Sequence, residues 1–162
     1  MIIRNRIIAL LFRLAAFALL FSSFHFYWGE FASFWTAMSC FDILMGLSLV
    51  ITFGFASIFN LIDLRHGVHG VAAYPYMPAA LPLFAFSVVA GVVYFSYSLP
   101  AGSAPYGFFP TLFHVLLILI PLVEWLFFDE KGTVHFSTGF TMMILTIFFY
   151  VFAYFRTLIW PN

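Results

Sequence analysis

Apolar residues along this chain neither alternate with polar ones nor form a single narrow stripe. They come in long blocks separated by short breaks. A bilayer-spanning helix needs about 20 predominantly apolar residues. Five blocks of that order are present, at roughly 7–28, 33–60, 79–99, 107–128 and 138–160. The breaks carry turn chemistry: Gly29-Glu30, Asp63 to Gly67 and on to Pro75, Pro100 to Ser103, and Asp129 to Gly132. The blocks are much longer than barrel strands and lack their alternation, which favours helices over a β-barrel. The pattern predicts an all-α, polytopic transmembrane helical bundle of about five membrane-spanning helices, in a single domain covering residues 1–162.

Composition narrows the class further. Only 7% of side chains are charged and mean hydropathy is +1.10, whereas a soluble domain carries about a quarter charged residues. Too little polar surface exists to coat a globule in water, so an integral membrane protein is expected. Net charge is zero and basic residues do not cluster, which removes nucleic acid as a partner. The single cysteine, Cys40, cannot close an internal disulfide. No Cys/His spacing suggests a metal, and no cofactor is expected. The N-terminus, MIIRNRIIALLFRLAAFALLF, looks like a signal peptide. Arg13 interrupts its apolar region, however, and no small-x-small site follows before Phe24 to Trp28, so it reads as the first membrane helix. The 25 phenylalanines suit either lipid-facing bulk or a cavity lined for an acyl chain.

Orientation follows from Lys and Arg near the helix ends. With the N-terminus inside, Arg4, Arg6, Arg13, Arg65 and Lys131 fall on the inner side and Arg156 alone falls outside. The N-terminus is therefore expected in the cytoplasm and the C-terminus on the opposite side, as in a bacterial inner membrane. Trp28, Trp35, Tyr106 and Trp160 would form the outer aromatic belt. Neither half of the chain repeats the other, which argues against an inverted-repeat transporter.

Ionisable groups inside spans mark a site or a pairing. Arg13 and Glu124 should lie about 10 Å and about 6 Å from the inner ends of their helices. They either snorkel separately or meet as a structural ion pair. Asp42 falls near the middle of the second block, as a hydrogen-bonded neutral acid or as part of a proton relay. His114 lies about 10 Å below the outer surface, at a depth similar to Thr36. Glu124 is about 15 Å further along the same helix and cannot orient His114. His114, Pro121 and Trp125 share a helical face that is expected to pack inward, with Leu112, Leu119 and Leu126 more towards lipid. Haem ligation by His25 and His114 is a further reading. His66 and His69 belong to an inner turn.

The residues around His114 carry a resemblance. His114 is followed ten residues later by Glu124-Trp125, a short apolar run, acidic residues and Gly132. This resembles the signature of the androgen-induced protein family of integral-membrane threonine hydrolases and its bacterial relatives. Phe34-Trp35-Thr36-Ala37-Met38-Ser39 is similar to the motif that opens that family's second helix. Val92-Val93-Tyr94 with Leu99, and Phe149-Tyr150 through Tyr154, resemble the ends of its third helix and its fifth helix. The likeness covers residues 30–156. Glu124 stands where the family has aspartate, Ile118 where it has proline, and Cys40 where it has asparagine. The family usually has a sixth helix, so a shortened relative is expected.

The resemblance implies hydrolysis of fatty acyl esters, with Thr36 as nucleophile and His114 as base. A threonine hydroxyl needs such a base, and the oxyanion needs donors, for which Ser39 and Tyr94 are candidates. Asp42 is a further supporting polar residue. Membrane lipids are then partners, and a lipid ester the substrate. The competing expectation is a non-catalytic small subunit or assembly factor packed against other subunits of a membrane complex.

Overall fold

The computed structural model describes residues 5–31, 37–38, 40–66, 77–102, 106–128 and, in the last block, residues 140, 144, 147, 148, 151, 154, 155, 158 and 159. All regular structure among these is helical. Helix α1 is Arg6–Trp28 and α2 is Phe41–Arg65. Helix α3 is Met77–Val93 and runs on through a π-helical turn, Tyr94–Ser98. Helix α4 is Phe108–Val123 and likewise continues as a π-helical turn, Glu124–Phe128. The described residues of the last block are helical and exposed. Three helices, Arg6–Trp28, Phe41–Arg65 and Phe108–Phe128, are long and apolar enough to cross a membrane, and Pro82–Ser98 is a shorter apolar helix.

Each helix packs against its neighbours in sequence, and α1 also packs against α4, so the four close into a ring. The seam on α1 is explicit. Ala9, Arg13, Ala16, Leu20, Ser23 and Tyr27 are its buried residues, and they recur every three or four positions, as one helical face must. Asn5 caps this helix, its side chain accepting from the N–H groups of Ile7 and Ile8. Phe53, Phe113, Leu20, Ile43, Leu49 and Leu117 fill the centre of the ring. In lipid, association depends on close packing rather than on water exclusion. Small residues therefore sit where helices touch. A Cβ on Gly46 would run into the Phe113 ring. One on Gly91 would stand 2.5 Å from Ile118 Cγ1 and 2.8 Å from the His114 carbonyl oxygen. Gly91→Ala must push α3 away from α4 at the level of His114. It should cost about 1–3 kcal/mol, read as a lower unfolding temperature of the detergent-solubilised protein; unchanged stability would contradict this contact.

Two expectations from the sequence change here. The second block does not run unbroken from residue 33 to 60. Cys40 is extended (φ −86°, ψ 125°) and α2 begins after it. Asp42 therefore lies in the first turn of α2, not near the middle of a span. Trp125 does not continue the inward face of His114 and Pro121. It is 40% exposed, while Glu124 and Phe128 are buried. The wider π-helical turn that starts at Glu124 rotates the following side chains away from the α-helical register. Leu112 packs partly against the core, whereas Leu119 and Leu126 are exposed.

Candidate active site

Tyr27 ends α1, Asp42 begins α2, Tyr94 ends the α-helical part of α3 and His114 is in the first half of α4. Antiparallel connection of the four helices therefore brings all of them to one end of the ring. His114 and Tyr27 are fully buried, at 0% and 1% exposure.

The Asp42 Oδ2 atom lies 2.8 Å from His114 Nε2 and accepts a hydrogen bond from the Tyr27 hydroxyl at 2.9 Å. The other Asp42 oxygen, Oδ1, accepts from the Ile43 N–H at 2.9 Å. This carboxyl is thus held at the N-terminus of α2, where backbone N–H groups and the helix dipole favour negative charge. His114 Nδ1 faces the Pro110 carbonyl oxygen at 2.7 Å.

These contacts fix the proton inventory. A carbonyl oxygen can only accept, so Nδ1 of His114 carries a proton and donates it. Nε2 and Asp42 Oδ2 then share one more proton. The pair is either imidazolium with carboxylate, or neutral imidazole with carboxylic acid. Tyr27 can donate to Oδ2 in both states. The Tyr94 ring lies flat on the imidazole, with centroids 3.6 Å apart and planes 6° from parallel, and Tyr27 and Phe113 meet it edge-on. Tyr94 opens the π-helical turn of α3, a feature common at functional sites. The imidazole is thus fixed in both position and tilt.

A cavity of about 320 Å³ opens beside this cluster. Asp42, Tyr27, Tyr94 and His114 form its polar end, and Phe31, Phe41, Val89 and Val93 contribute apolar wall. His114 has no exposed side-chain surface, whereas Asp42 keeps 20%. Both line the cavity, and Asp42 is the more exposed member of the pair.

Of the residues singled out from the sequence, the structure brings Asp42, Tyr94 and His114 together. Thr36 and Ser39 lie outside the described residues, as do Trp35 and Trp160 of the expected aromatic belt. Phe31 and Cys40, on either side of the segment carrying Thr36 and Ser39, both line the cavity. Arg13 and Glu124 meet away from this site. Arg13 Nη2 and Nε donate to Glu124 Oε1 at 2.7 and 3.1 Å, and the two side chains are only 2% and 0% exposed. They are paired inside the ring rather than snorkelling separately. The haem reading finds no geometry: His25 is on the exposed side of α1, and both ring nitrogens of His114 are engaged.

The sequence reading missed Tyr27, the Pro110 carbonyl and the depth of Asp42. One signal for the last was present. Ser39-Cys40-Phe41-Asp42 is a Ser-x-x-acid pattern directly before an apolar run, which is a helix-start signature. Comparison of the chain with protein-family models, with curated proteins and with solved structures finds no match.

Proposed function

We propose that this chain is a membrane-embedded hydrolase of long-chain lipid esters, with the Asp42–His114 pair as its acid–base centre and Thr36 as its nucleophile. The observation that carries this reading is a buried imidazole sharing a proton with a carboxyl group that faces a cavity. A pair whose only task was to join α2 to α4 would need no cavity at its open side. The resemblance of residues 30–156 to the androgen-induced family supplies the reaction class. The same reading takes five membrane spans, a cytoplasmic N-terminus, a bacterial inner membrane and a site opening towards the outer leaflet.

The reading gives each group a task. The Thr36 hydroxyl attacks the ester carbonyl carbon, forming a C–O bond. Its proton passes to Asp42, where Oδ1 takes only the Ile43 N–H and keeps a lone pair for it. In this scheme Asp42 receives the proton and His114 stabilises it from behind, since neither ring nitrogen is free to meet a hydroxyl directly. The pair becomes more positive as the carbonyl oxygen becomes negative, so charge separation is short-ranged in a low-dielectric site. Cleavage of the bond to the alcohol returns the proton to the leaving oxygen and leaves an acyl-threonine. Water then attacks that ester and gives a proton to the same pair; the acyl C–O bond to Thr36 breaks, the pair returns the proton to the Thr36 oxygen, and the acid is released.

Trapping tests the assignment. Purified protein, quenched during turnover of a long-chain aryl ester and digested, should carry the acyl mass on the peptide containing Thr36. The adduct should be absent from Asp42→Asn. Acylation at another residue would reject Thr36 as nucleophile. Absence of both adduct and turnover would leave the scaffold or assembly reading in its place.

A further inference from the structure

We infer that Tyr27 is a positioning residue of the proposed acid–base centre: its hydroxyl closes Asp42 Oδ2, so that Oδ1 is the oxygen left to take the nucleophile's proton. The effect on turnover rests on the hydrolase reading, whereas the hold on the carboxyl group does not. Each oxygen of a carboxylate offers two lone pairs. At Oδ2, one meets His114 Nε2 at 2.8 Å and the other accepts from the Tyr27 hydroxyl at 2.9 Å. Among the described residues, Oδ1 accepts from the Ile43 N–H alone, at 2.9 Å, and keeps its second lone pair. Without the hydroxyl the two oxygens become alike, each with one partner and one open lone pair. The carboxyl group then has no fixed side on which to receive a proton.

The placement of Tyr27 suits this task. It is the next-to-last residue of α1 and is 1% exposed. Its ring stacks on Phe113, with centroids 4.9 Å apart and planes at 29°. It meets Phe31 edge-on at 5.2 Å and His114 at 5.3 Å. These contacts fix the ring, and with it the line along which the hydroxyl reaches Asp42. A buried tyrosine needs a partner for its hydroxyl, so the same contact also joins α1 to α2. A tether alone would be served by any acceptor on α2. This hydroxyl goes instead to the one oxygen that also faces the imidazole. Reacting groups have to be held close to productive geometry by neighbours whose own side chains are locked, and a small misplacement is costly in rate.

The test is Tyr27→Phe, which keeps the ring and removes the oxygen. The full chain in nanodiscs is assayed with a long-chain aryl ester. Turnover per folded molecule should fall about 10–100-fold with KM little changed, because the wall of the cavity keeps its shape. Tyr27→Phe combined with Asp42→Asn should be no slower than Asp42→Asn alone, since the hydroxyl acts through that carboxyl group. A second readout needs no turnover. Infrared bands lost in Asp42→Asn belong to Asp42, and these should move in Tyr27→Phe. An unmoved band would overturn the inference. Unchanged turnover per folded molecule, or a Tyr27→Phe protein that does not fold, would also overturn it and leave Tyr27 as a tether. An inactive unaltered protein whose Asp42 band moves in Tyr27→Phe would sink only the hydrolase reading. An active one whose turnover is untouched by Tyr27→Phe would sink only this inference.

Discussion

Glu124→Gln should sharply reduce the amount of folded protein recovered from membranes. Arg13 and Glu124 are held inside the helix ring at 2% and 0% side-chain exposure, with Nη2 to Oε1 at 2.7 Å. The substitution keeps the shape and removes the charge, which takes the Glu124 counter-charge away from the buried Arg13 guanidinium. Breaking one side of a buried pair costs about 3–5 kcal/mol, a large fraction of the stability of a small protein. Arg13→Gln should behave similarly. Exchanging the two residues, Arg13→Glu with Glu124→Arg, restores opposite charges at the same place and should recover most of the loss. The measurement is the yield of monodisperse protein after extraction, together with its unfolding temperature. Equal yields of the single variants and the unaltered protein would mean that the pair carries no stability. A double exchange no better than either single change would mean that its two members are not coupled.

The second large effect concerns turnover rather than folding. Asp42→Asn keeps the size of the side chain and the Oδ1 contact to the Ile43 N–H, but it can no longer take a proton. A positioned general acid–base group contributes about 10²–10⁴-fold to rate. Hydrolysis of a long-chain ester by Asp42→Asn should fall by that order while yield and unfolding temperature change little. The same loss is expected for His114→Gln, since the carboxyl group then loses its partner at 2.8 Å. Substitution at Glu124 has the opposite profile, with more effect on yield than on turnover per folded molecule. These two profiles separate the end of the ring proposed to be catalytic from its structural end.

The helical class was legible because apolar blocks of about 20 residues admit few other structures. The ends of α1 and α4 follow from the breaks at Gly29-Glu30 and Asp129 to Gly132. The depth of Asp42 was not legible from hydropathy. The extended backbone at Cys40 leaves an apolar profile almost unchanged, yet it moves Asp42 to a helix start and to the level of His114. Trp125 was misplaced for a related reason. Pro121 is visible in the sequence, but the π-helical turn at Glu124–Phe128 comes three residues later and has no compositional mark. Tyr27 escaped notice because an aromatic residue near a membrane surface reads as an interfacial anchor. Its hydroxyl contact with Asp42 depends on how α1 and α2 pack, which no local pattern records.

The central claim is that Asp42 and His114 act as one acid–base unit. A double-mutant cycle on ester hydrolysis tests it most directly, with turnover measured for the unaltered protein, Asp42→Asn, His114→Gln and the double variant. Residues that share one proton fail together, so their effects do not add. The account predicts that each single variant loses most of the activity and that the double variant is little worse than the poorer single one. Full activity in either single variant, or losses that multiply in the double variant as for independent sites, would contradict it.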